Sequence, residues 1–406
     1  MRKHIALLLS AFVAVGAFAA TKPAPPATPV TVDTHADTPT EYLKQPFNLG
    51  AWNAKGEVDY PRMKAGGLDA EFFAAYVPAK YANKGAAAFC MKIMETIHEM
   101  VDRYPTWARF ASSTSDIRAA AHDGKRAILI GIEGGHAIED SLDLLRAFYR
   151  FGARYMTLTH TNTNNWADAS TDEERHNGLT PFGRQVVLEM NRLGMLVDIS
   201  HVSDKTFYDV IATSKAPVFA SHSSARALSN HKRNMTDDML RAVARNGGVV
   251  MVNFFSGFVD EEFRKAFEPL RPEMEKALAE VTAKYKDDPA ARTREWFAVG
   301  NRIAARIPRP PLKSLIDHIE HVARVAGVEH AGIGSDFDGI PSLPQGIDSA
   351  ADLPKIAAEL RKRGFSQRDV AKIFSGNVLR VMRAAEQFAQ SAAAAPRASS
   401  PNAAAR

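Results

Sequence analysis

The chain has 406 residues, of which 46% are hydrophobic and 24% charged, with 25 Gly, 22 Pro and a single Cys. This composition excludes a wholly disordered or collagen-like chain, and the length allows a core large enough to hold a rigid site. The formal net charge is only +5, with 51 basic residues against 46 acidic ones. Such a weak and dispersed excess does not indicate a nucleic-acid partner.

The N-terminus, residues 1–20, has the pattern of a secretory signal peptide. A short basic start precedes an apolar run over residues 5–15, and residues 17–19 follow the small-x-small pattern of a cleavage site. The apolar run is too short and wrongly flanked for a membrane span, although an uncleaved anchor is the alternative. We therefore expect cleavage after Ala19 or Ala20 and a periplasmic or secreted protein.

Low-complexity segments flank the body of the chain. Residues 21–30 form a Pro/Ala-rich spacer, and residues 390–406 are rich in Ala, Ser and Pro without an apolar period, which predicts a disordered tail. The lone Cys90 allows no internal disulfide, so the fold must depend on its core and on bound ions. A single domain is predicted over residues 31–389, with no membrane span after removal of the signal.

Within this domain, short apolar runs alternate with helical stretches. Near-continuous apolar runs are typical of strands in a parallel sheet that is covered on both faces. The predicted strands are Thr31–Asp37, Ala70–Val77, Ala127–Glu133, Tyr155–His160, Leu196–His201, Val218–His222, Gly248–Phe254 and Ala331–Asp336. Eight strands alternating with helices favour a (β/α)8 TIM barrel, with a doubly wound open sheet as the alternative.

Helix signals separate these runs. Thr180 followed by Pro181 predicts a helix start and Gly194 predicts its end, while Thr236 with two following acids predicts another start. One segment interrupts the repeat, because residues 255–310 are charged and helical in composition. We expect them to form a helical insertion after strand seven, where insertions usually shape the mouth of a barrel.

Histidines and carboxylates end six of the eight predicted strands. They are His35 and Asp37, Glu133, His160, His201, His222 and Asp336. Side chains that leave neighbouring strands at the C-terminal rim of a barrel converge over its axis, where barrel enzymes work. The His-x-Asp spacing has period two, so it places both side chains of that pair on one strand face.

This set exceeds what one tetrahedral zinc ion needs. Two ions about 3.5 Å apart, bridged by a carboxylate and a hydroxide, would use it fully. Nitrogen and oxygen ligands without a thiolate favour Zn²⁺, with Mn²⁺ or Co²⁺ as substitutes. Any one of these histidines could instead bind a backbone carbonyl, and Asp338 shares the spacing of Asp336. We interpret His136 as a residue that supports the ligands or the fold rather than as a ligand. We interpret as structural the histidines His98, His122, His176, His318 and His321.

Eight ordered segments between about Val32 and Ala385 carry a family resemblance. They are DTHADTP (Asp33–Pro39), IGIEGGHAI (Ile130–Ile138), MTLTHTNTNNWADAS (Met156–Ser170), VDISHVS (Val197–Ser203), FASHSSARAL (Phe219–Leu228), HKRNMTDDMLRAV (His231–Val243), GIGSDFDG (Gly332–Gly339) and GNVLRV (Gly376–Val381). With these motifs the chain resembles the membrane (renal) dipeptidase family of zinc metallopeptidases, as an exported bacterial member.

The resemblance implies the same barrel and two zinc ions. One ion would be held by His35, Asp37 and Glu133, and the other by Glu133, His201 and His222, so that Glu133 bridges the pair.

It also implies three residues that act on the substrate. His160 would bind the substrate carbonyl and its tetrahedral intermediate, Arg233 would bind the terminal carboxylate, and Asp336 would transfer protons. The implied activity is hydrolysis of free dipeptides by a metal-bridging hydroxide, with tolerance of a D-residue at the second position, and a homodimer is implied as well. The chain departs from the animal members in having no lipid-anchor signal and no cysteine pair, with Asn162 where one cysteine is expected.

Two other functions stay open. Other barrel hydrolases, such as lactonases, phosphotriesterases and deacetylases, usually begin with HxH and bridge their metals with a modified lysine, whereas this chain has HxD and Glu133. A non-catalytic periplasmic protein that binds zinc or peptides would lack the acid or a ligand, and here every expected position is filled.

Overall fold

The computed structural model describes residues 30–286 and 288–394. The expected signal peptide, the spacer up to residue 29 and the tail from residue 395 onward lie outside the described residues. Among the helices that are described, none is long and apolar enough to cross a lipid bilayer.

A single parallel sheet forms the centre of the molecule. Its strands are β1 (Val32–Ala36), β2 (Ala70–Tyr76), β3 (Ala108–Phe110), β4 (Arg126–Glu133), β5 (Ala153–Thr157), β6 (Leu196–Asp198), β7 (Phe219–Ala220), β8 (Val249–Val252) and β9 (Ala331–Ile333). Eight of them follow one another in chain order around a nearly closed barrel, while β3 pairs only with the start of β4. Just beyond the ends of the first and last strands, the Asp37 N–H donates to the Phe337 carbonyl at 2.8 Å. The (β/α)8 prediction is confirmed.

Helices lie between these strands and after them along the chain. They are α1 (Thr38–Lys44), α2 (Tyr60–Ala65), α3 (Ala86–Asp102), α4 (Thr114–His122), α5 (Leu142–Arg150), α6 (Pro181–Leu193), α7 (Asp204–Thr213), α8 (Asp237–Asn246), α9 (Ser256–Val259), α10 (Glu261–Phe267), α11 (Arg271–Lys284), α12 (Pro289–Ala304), α13 (Leu312–Ala326), α14 (Leu353–Lys362), α15 (Gln367–Ala371) and α16 (Asn377–Ala394). Helices α9–α12 form the insertion expected after the seventh barrel strand. The side chains of Thr180 and Thr236 cap α6 and α8 as predicted.

Alternate strand residues face two different cores. One set packs against the surrounding helices, and the other fills the barrel interior, where α16 closes it from one end. In β4 the interior set is Ala127 and Leu129, and the same alternation turns Gly131 and Glu133 inward. The carboxylate of Glu133 therefore lies over the interior at the C-terminal end of its strand.

The structure differs from the sequence predictions at element boundaries. The short strand β3 was not predicted, and several strands end earlier than the apolar runs that predicted them. Thus His160, His201 and Asp336 lie three residues beyond β5, β6 and β9, because the loops after these strands are themselves buried. The disordered tail was predicted to start too early, since α16 continues through residues 390–394.

Candidate metal centre

Glu133 lies at the centre of the predicted site, at the end of β4. Its Oε1 is 3.0 Å from His201 Nε2, 3.4 Å from His222 Nε2 and 3.7 Å from His160 Nε2. Its Oε2 is 3.7 Å from His35 Nε2. One carboxylate oxygen thus faces three histidines and the other faces His35, which is the arrangement that a bridging ligand requires.

Two further carboxylates, those of Asp37 and Asp336, lie on the side of the cluster where His35 lies. His35 Nε2 is 3.6 Å from Asp37 Oδ2 and 3.9 Å from Asp336 Oδ1. On the other side, the Nε2 atoms of His201 and His222 are 2.9 Å apart. The structure therefore brings together all seven of the histidines and carboxylates that end the predicted strands.

Local backbone geometry directs these side chains inward. Asp37 is not in the strand with His35 but precedes α1 as its N-cap residue, and its carboxylate still turns toward His35. His201 and Asp336 adopt left-handed backbone conformations, with φ of 69° and 64°. A Cβ at Gly339 would lie 2.2 Å from Asp37 Oδ2 and 2.6 Å from Asp336 Oδ1, so only glycine lets this loop approach the site.

The donor set fits divalent cations. Within the described part of the chain, His35 Nε2 and Asp37 Oδ1 are buried and have no hydrogen-bond partner. Two histidine nitrogens bound to one tetrahedral zinc ion would lie about 3.3 Å apart, close to the separation of His201 and His222 Nε2. Three overlapping groups could each hold an ion: His35, Glu133 and His222; Glu133, His160 and His201; and His35, Asp37 and Asp336.

The charges of the cluster also favour a cation. Burial raises the pKa of Glu133 well above its usual range, and burial with the nearby charge of Asp37 raises that of Asp336 to about 7. Burial lowers the pKa of His35, but the charges of Glu133, Asp37 and Asp336 outweigh it and raise this pKa to about 10. Closely packed acids that hold protons in this way are typical of sites that bind positive charge.

The remaining histidines of the cluster are neutral. Burial lowers the pKa of His160 to about 3 and those of His201 and His222 well below the usual range. The charge of Arg233 adds to this effect at His160 and His201, and the charge of His35 adds to it at His222. Neutral imidazole is the form that binds a metal or donates a single hydrogen bond from one nitrogen.

Arg233 lies beside this cluster and is 5% exposed. Its Nη2 donates to the His222 carbonyl at 3.1 Å, and its guanidinium lies 5.4 Å from the centre of the Phe258 ring. Burial lowers its pKa to about 10, against the opposing charges of Asp336 and Glu133, so the guanidinium keeps its charge at neutral pH.

The structure separates the two acids that the spacing left equivalent. Asp336 faces the cluster, whereas Asp338 accepts hydrogen bonds from Thr38 Oγ1 at 2.6 Å and from the Glu57 N–H at 2.7 Å. Asp338 therefore holds loops together rather than facing the metal ligands.

Among the described residues, none of the three possible metal-ligand groups includes the histidines interpreted as structural. Of those, His98, His176, His318 and His321 hydrogen-bond to other parts of the fold.

Several residues that support the site were not predicted from the sequence. The two predicted strands without a terminal histidine or acid contribute Tyr76, whose ring centre is 4.7 Å from that of His160, and Asn253, whose Nδ2 donates to Asp336 Oδ2 at 2.8 Å. Their position at strand ends was a usable signal. Tyr155, at 2.7 Å from His35 Nδ1, gave no such signal because it lies inside a strand.

Comparison with known proteins agrees with this geometry. A model of the membrane dipeptidase family, peptidase family M19, matches residues 27–396. The chain belongs to the membrane dipeptidase family. The family assignment identifies it as a metal-dependent dipeptidase, as the motifs predicted.

Solved structures of other proteins share this fold. A metallopeptidase from Rhodobacter sphaeroides, liganded with a phosphinate mimic of the dipeptide L-Ala-D-Ala, is 25% identical, with a TM-score of 0.71 over 88% of this chain and 99% of that one. The probable dipeptidase PvdM from Pseudomonas aeruginosa is 25% identical, with a TM-score of 0.74 over 88% and 96%. An amidohydrolase from Pseudomonas aeruginosa is also 25% identical, with a TM-score of 0.66 over 88% and 96%.

Proposed function

We propose that this member of the membrane dipeptidase family is an exported, two-zinc enzyme that hydrolyses free dipeptides, including those with a D-residue at the second position. The observation that carries the proposal is the placement of one buried arginine, Arg233, beside a cluster of metal ligands centred on Glu133. Such a site can bind a free carboxylate and, at the same time, hydrolyse the adjacent amide.

Two overlapping sets of residues would hold the ions. His35, Asp37 and Glu133 form one set, and Glu133, His201 and His222 form the other. Nitrogen and oxygen donors without a thiolate support zinc as the metal. When bound, such ions supply a hydroxide nucleophile at neutral pH and polarise the carbonyl that is attacked.

In the proposed mechanism, Asp336 moves protons. Asn253 holds its Oδ2 at 2.8 Å, while Oδ1 faces the cluster at 3.9 Å from His35 Nε2. Oδ1 can therefore accept a proton from the attacking water and deliver it to the leaving amine. The hydrogen bond from Asn253 keeps the carboxyl group in this orientation.

In the proposed mechanism, His160 stabilises the oxyanion. Its Nδ1 lies 3.1 Å from Thr161 Oγ1, which can donate to it, and its Nε2 faces the cluster at 3.7 Å from Glu133 Oε1. With the proton on Nε2, the neutral ring donates toward the carbonyl oxygen as negative charge develops there. Removing one such donor typically costs about 2.7–4 kcal/mol of transition-state stabilisation.

Arg233 limits the length of the substrate. Its guanidinium would form a bidentate pair with the C-terminal carboxylate, because planar forks of donors match carboxylates. In a dipeptide, the C-terminal carboxylate and the nitrogen of the scissile amide belong to the same residue. If the carboxylate binds Arg233 while the amide lies at the cluster, this one residue spans the distance between them. The phosphinate complex of the Rhodobacter sphaeroides relative supports a D-residue at that position.

A substrate panel on protein of known metal content tests the proposal. The panel contains L,L and L,D dipeptides, an N-blocked dipeptide, a C-terminally amidated dipeptide and a tripeptide. We expect two zinc ions per chain and hydrolysis of the free L,L and L,D dipeptides, with poor hydrolysis of the amide and the tripeptide. Two ions without dipeptide turnover would instead favour another barrel hydrolase, such as a lactonase or deacetylase.

Export rests on the N-terminal pattern and needs its own test. Mass spectrometry of the protein recovered outside the cytoplasm should give an N-terminus at Ala20 or Thr21. An intact Met1 in the cell cytoplasm would contradict export.

A further inference from the structure

Tyr155 contacts the metal ligands without being one of them. Its phenol oxygen lies 2.7 Å from His35 Nδ1, and both residues are fully buried. The other nitrogen of this imidazole, Nε2, faces Asp37 and Glu133 at 3.6 and 3.7 Å. The two nitrogens of His35 are thus divided between the cluster and Tyr155.

The reach of Tyr155 depends on a glycine in the neighbouring strand. Gly131 in β4 pairs directly with Tyr155 in β5, and a Cβ at Gly131 would lie only 1.9 Å from Tyr155 Cζ. The tyrosine ring therefore occupies the space that a side chain at position 131 would fill. Phe72 and Phe219 pack against the same ring at centre distances of 5.3 and 5.4 Å, which fixes its position.

We propose that Tyr155 is a positioning residue that holds His35 in the orientation and tautomer needed to bind a metal ion through Nε2. The effect would be confined to the ion position formed by His35, Asp37 and Glu133. An imidazole that binds a metal through Nε2 carries its proton on Nδ1, and the buried Nδ1–H then needs an acceptor. The oxygen of Tyr155 is that acceptor. The inference rests on the two-ion site of the proposed function.

The second ion position has a separate support. His222 Nδ1 lies 2.7 Å from Ser221 Oγ, and this hydroxyl donates to Asp198 Oδ2 at 2.6 Å. His222 can therefore donate from Nδ1 to Ser221, which is oriented by a buried carboxylate. In the ligand sets of the proposed function, His35 and His222 bind different ions. Because they also use different partners, we expect that the two ion positions can be weakened one at a time.

Metal titration of the metal-free full-length protein tests this inference. Zn²⁺ affinity would be measured by competition with a chelator, stoichiometry by elemental analysis, and ligand geometry by the absorption spectrum of the Co²⁺ form. In Tyr155→Phe we expect one of two binding constants to fall about 10- to 100-fold while the other is unchanged. Ser221→Ala should weaken the other constant instead.

Phe72→Leu is the matched control, since it alters packing on the Tyr155 ring but keeps the phenol hydroxyl. It should leave both binding constants within about threefold of the wild type, and thermal unfolding would verify that each variant is folded. Wild-type binding by Tyr155→Phe, equal weakening of both constants, or the same loss in Phe72→Leu would each overturn the inference. A wild-type chain that binds a single ion would instead overturn the two-ion site and this inference with it.

Discussion

Replacing Arg233 by alanine removes the proposed carboxylate-binding group. The side chain is 5% exposed and is held by the His222 carbonyl and the Phe258 ring, so its pairing with a substrate carboxylate takes place away from bulk water. Truncating one partner of a buried, hydrogen-bonded charge pair typically costs about 2–5 kcal/mol. This range corresponds to a loss of roughly 30-fold to several thousand-fold in kcat/KM, at about 1.36 kcal/mol per factor of ten. Given this burial, we expect about 10³-fold, mainly through KM.

The assay compares a free dipeptide with its C-terminal amide on the wild type and on Arg233→Ala. The wild type should prefer the free dipeptide strongly, and this preference should fall to within about threefold in Arg233→Ala. Arg233→Lys should lie between the two, because it keeps the charge but loses the planar fork of donors and the bond to His222.

Unchanged metal content in each variant is the necessary control, since Arg233 is not among the possible ligand groups. An unchanged kcat/KM in Arg233→Ala would refute the role of Arg233 as the carboxylate-binding group. A preference for the free dipeptide over its amide that persists in Arg233→Ala would refute this role equally.

Three buried carboxylates, Asp336, Glu133 and Glu71, give further testable predictions. Asp336→Asn should keep both metal ions but lose about 10²–10⁴-fold in kcat. Asp338→Asn is the matched control and should stay active, because the Asp338 carboxylate faces Thr38 and Glu57 instead of the cluster. Equal kcat values for the two variants would exclude Asp336 from the mechanism. Glu133→Gln should lower the metal content measured by elemental analysis, and a fully loaded, active variant would contradict the bridge. Burial, followed by the charge of Asp33, raises the pKa of Glu71 well above its usual range. The folded state therefore holds a proton that the unfolded chain releases, and the stability of the fold falls as pH rises. Glu71→Gln should therefore reduce the downward slope of the unfolding free energy by up to about 1.4 kcal/mol per pH unit, measured by urea unfolding between about pH 5 and 7; an unchanged slope would show that Glu71 is ionised in the fold.

The barrel could be predicted because burial on both faces leaves a simple record in the sequence. The eight strands of the barrel lie in apolar runs, and cap residues such as Thr180 and Thr236 mark where some of the following helices begin. The strand ends were less predictable. β7 has only two residues, Phe219–Ala220, yet the apolar and small residues around it are buried too, so composition does not mark where pairing stops.

The candidate ligands could be predicted for a related reason. Histidines and carboxylates are rarely buried without a partner, so their repeated appearance after apolar runs indicated convergence. The residues that orient them left no comparable trace. Tyr155 reaches His35 only because Gly131, in a different strand, has no side chain, and this relation depends on the strand register. Ser221 and Asp198 likewise meet only once β6 and β7 are paired.

In the proposed site, two metal ions flank Glu133 and Arg233 binds the free carboxylate of a dipeptide. The most direct test is anomalous diffraction at the zinc edge from crystals grown with a phosphinate mimic of L-Ala-D-Ala. We predict two anomalous peaks, one on each side of the Glu133 carboxylate, with the carboxylate of the mimic paired with Arg233. A single peak would contradict the two-ion site, and a mimic whose carboxylate lies away from Arg233 would contradict the role of Arg233.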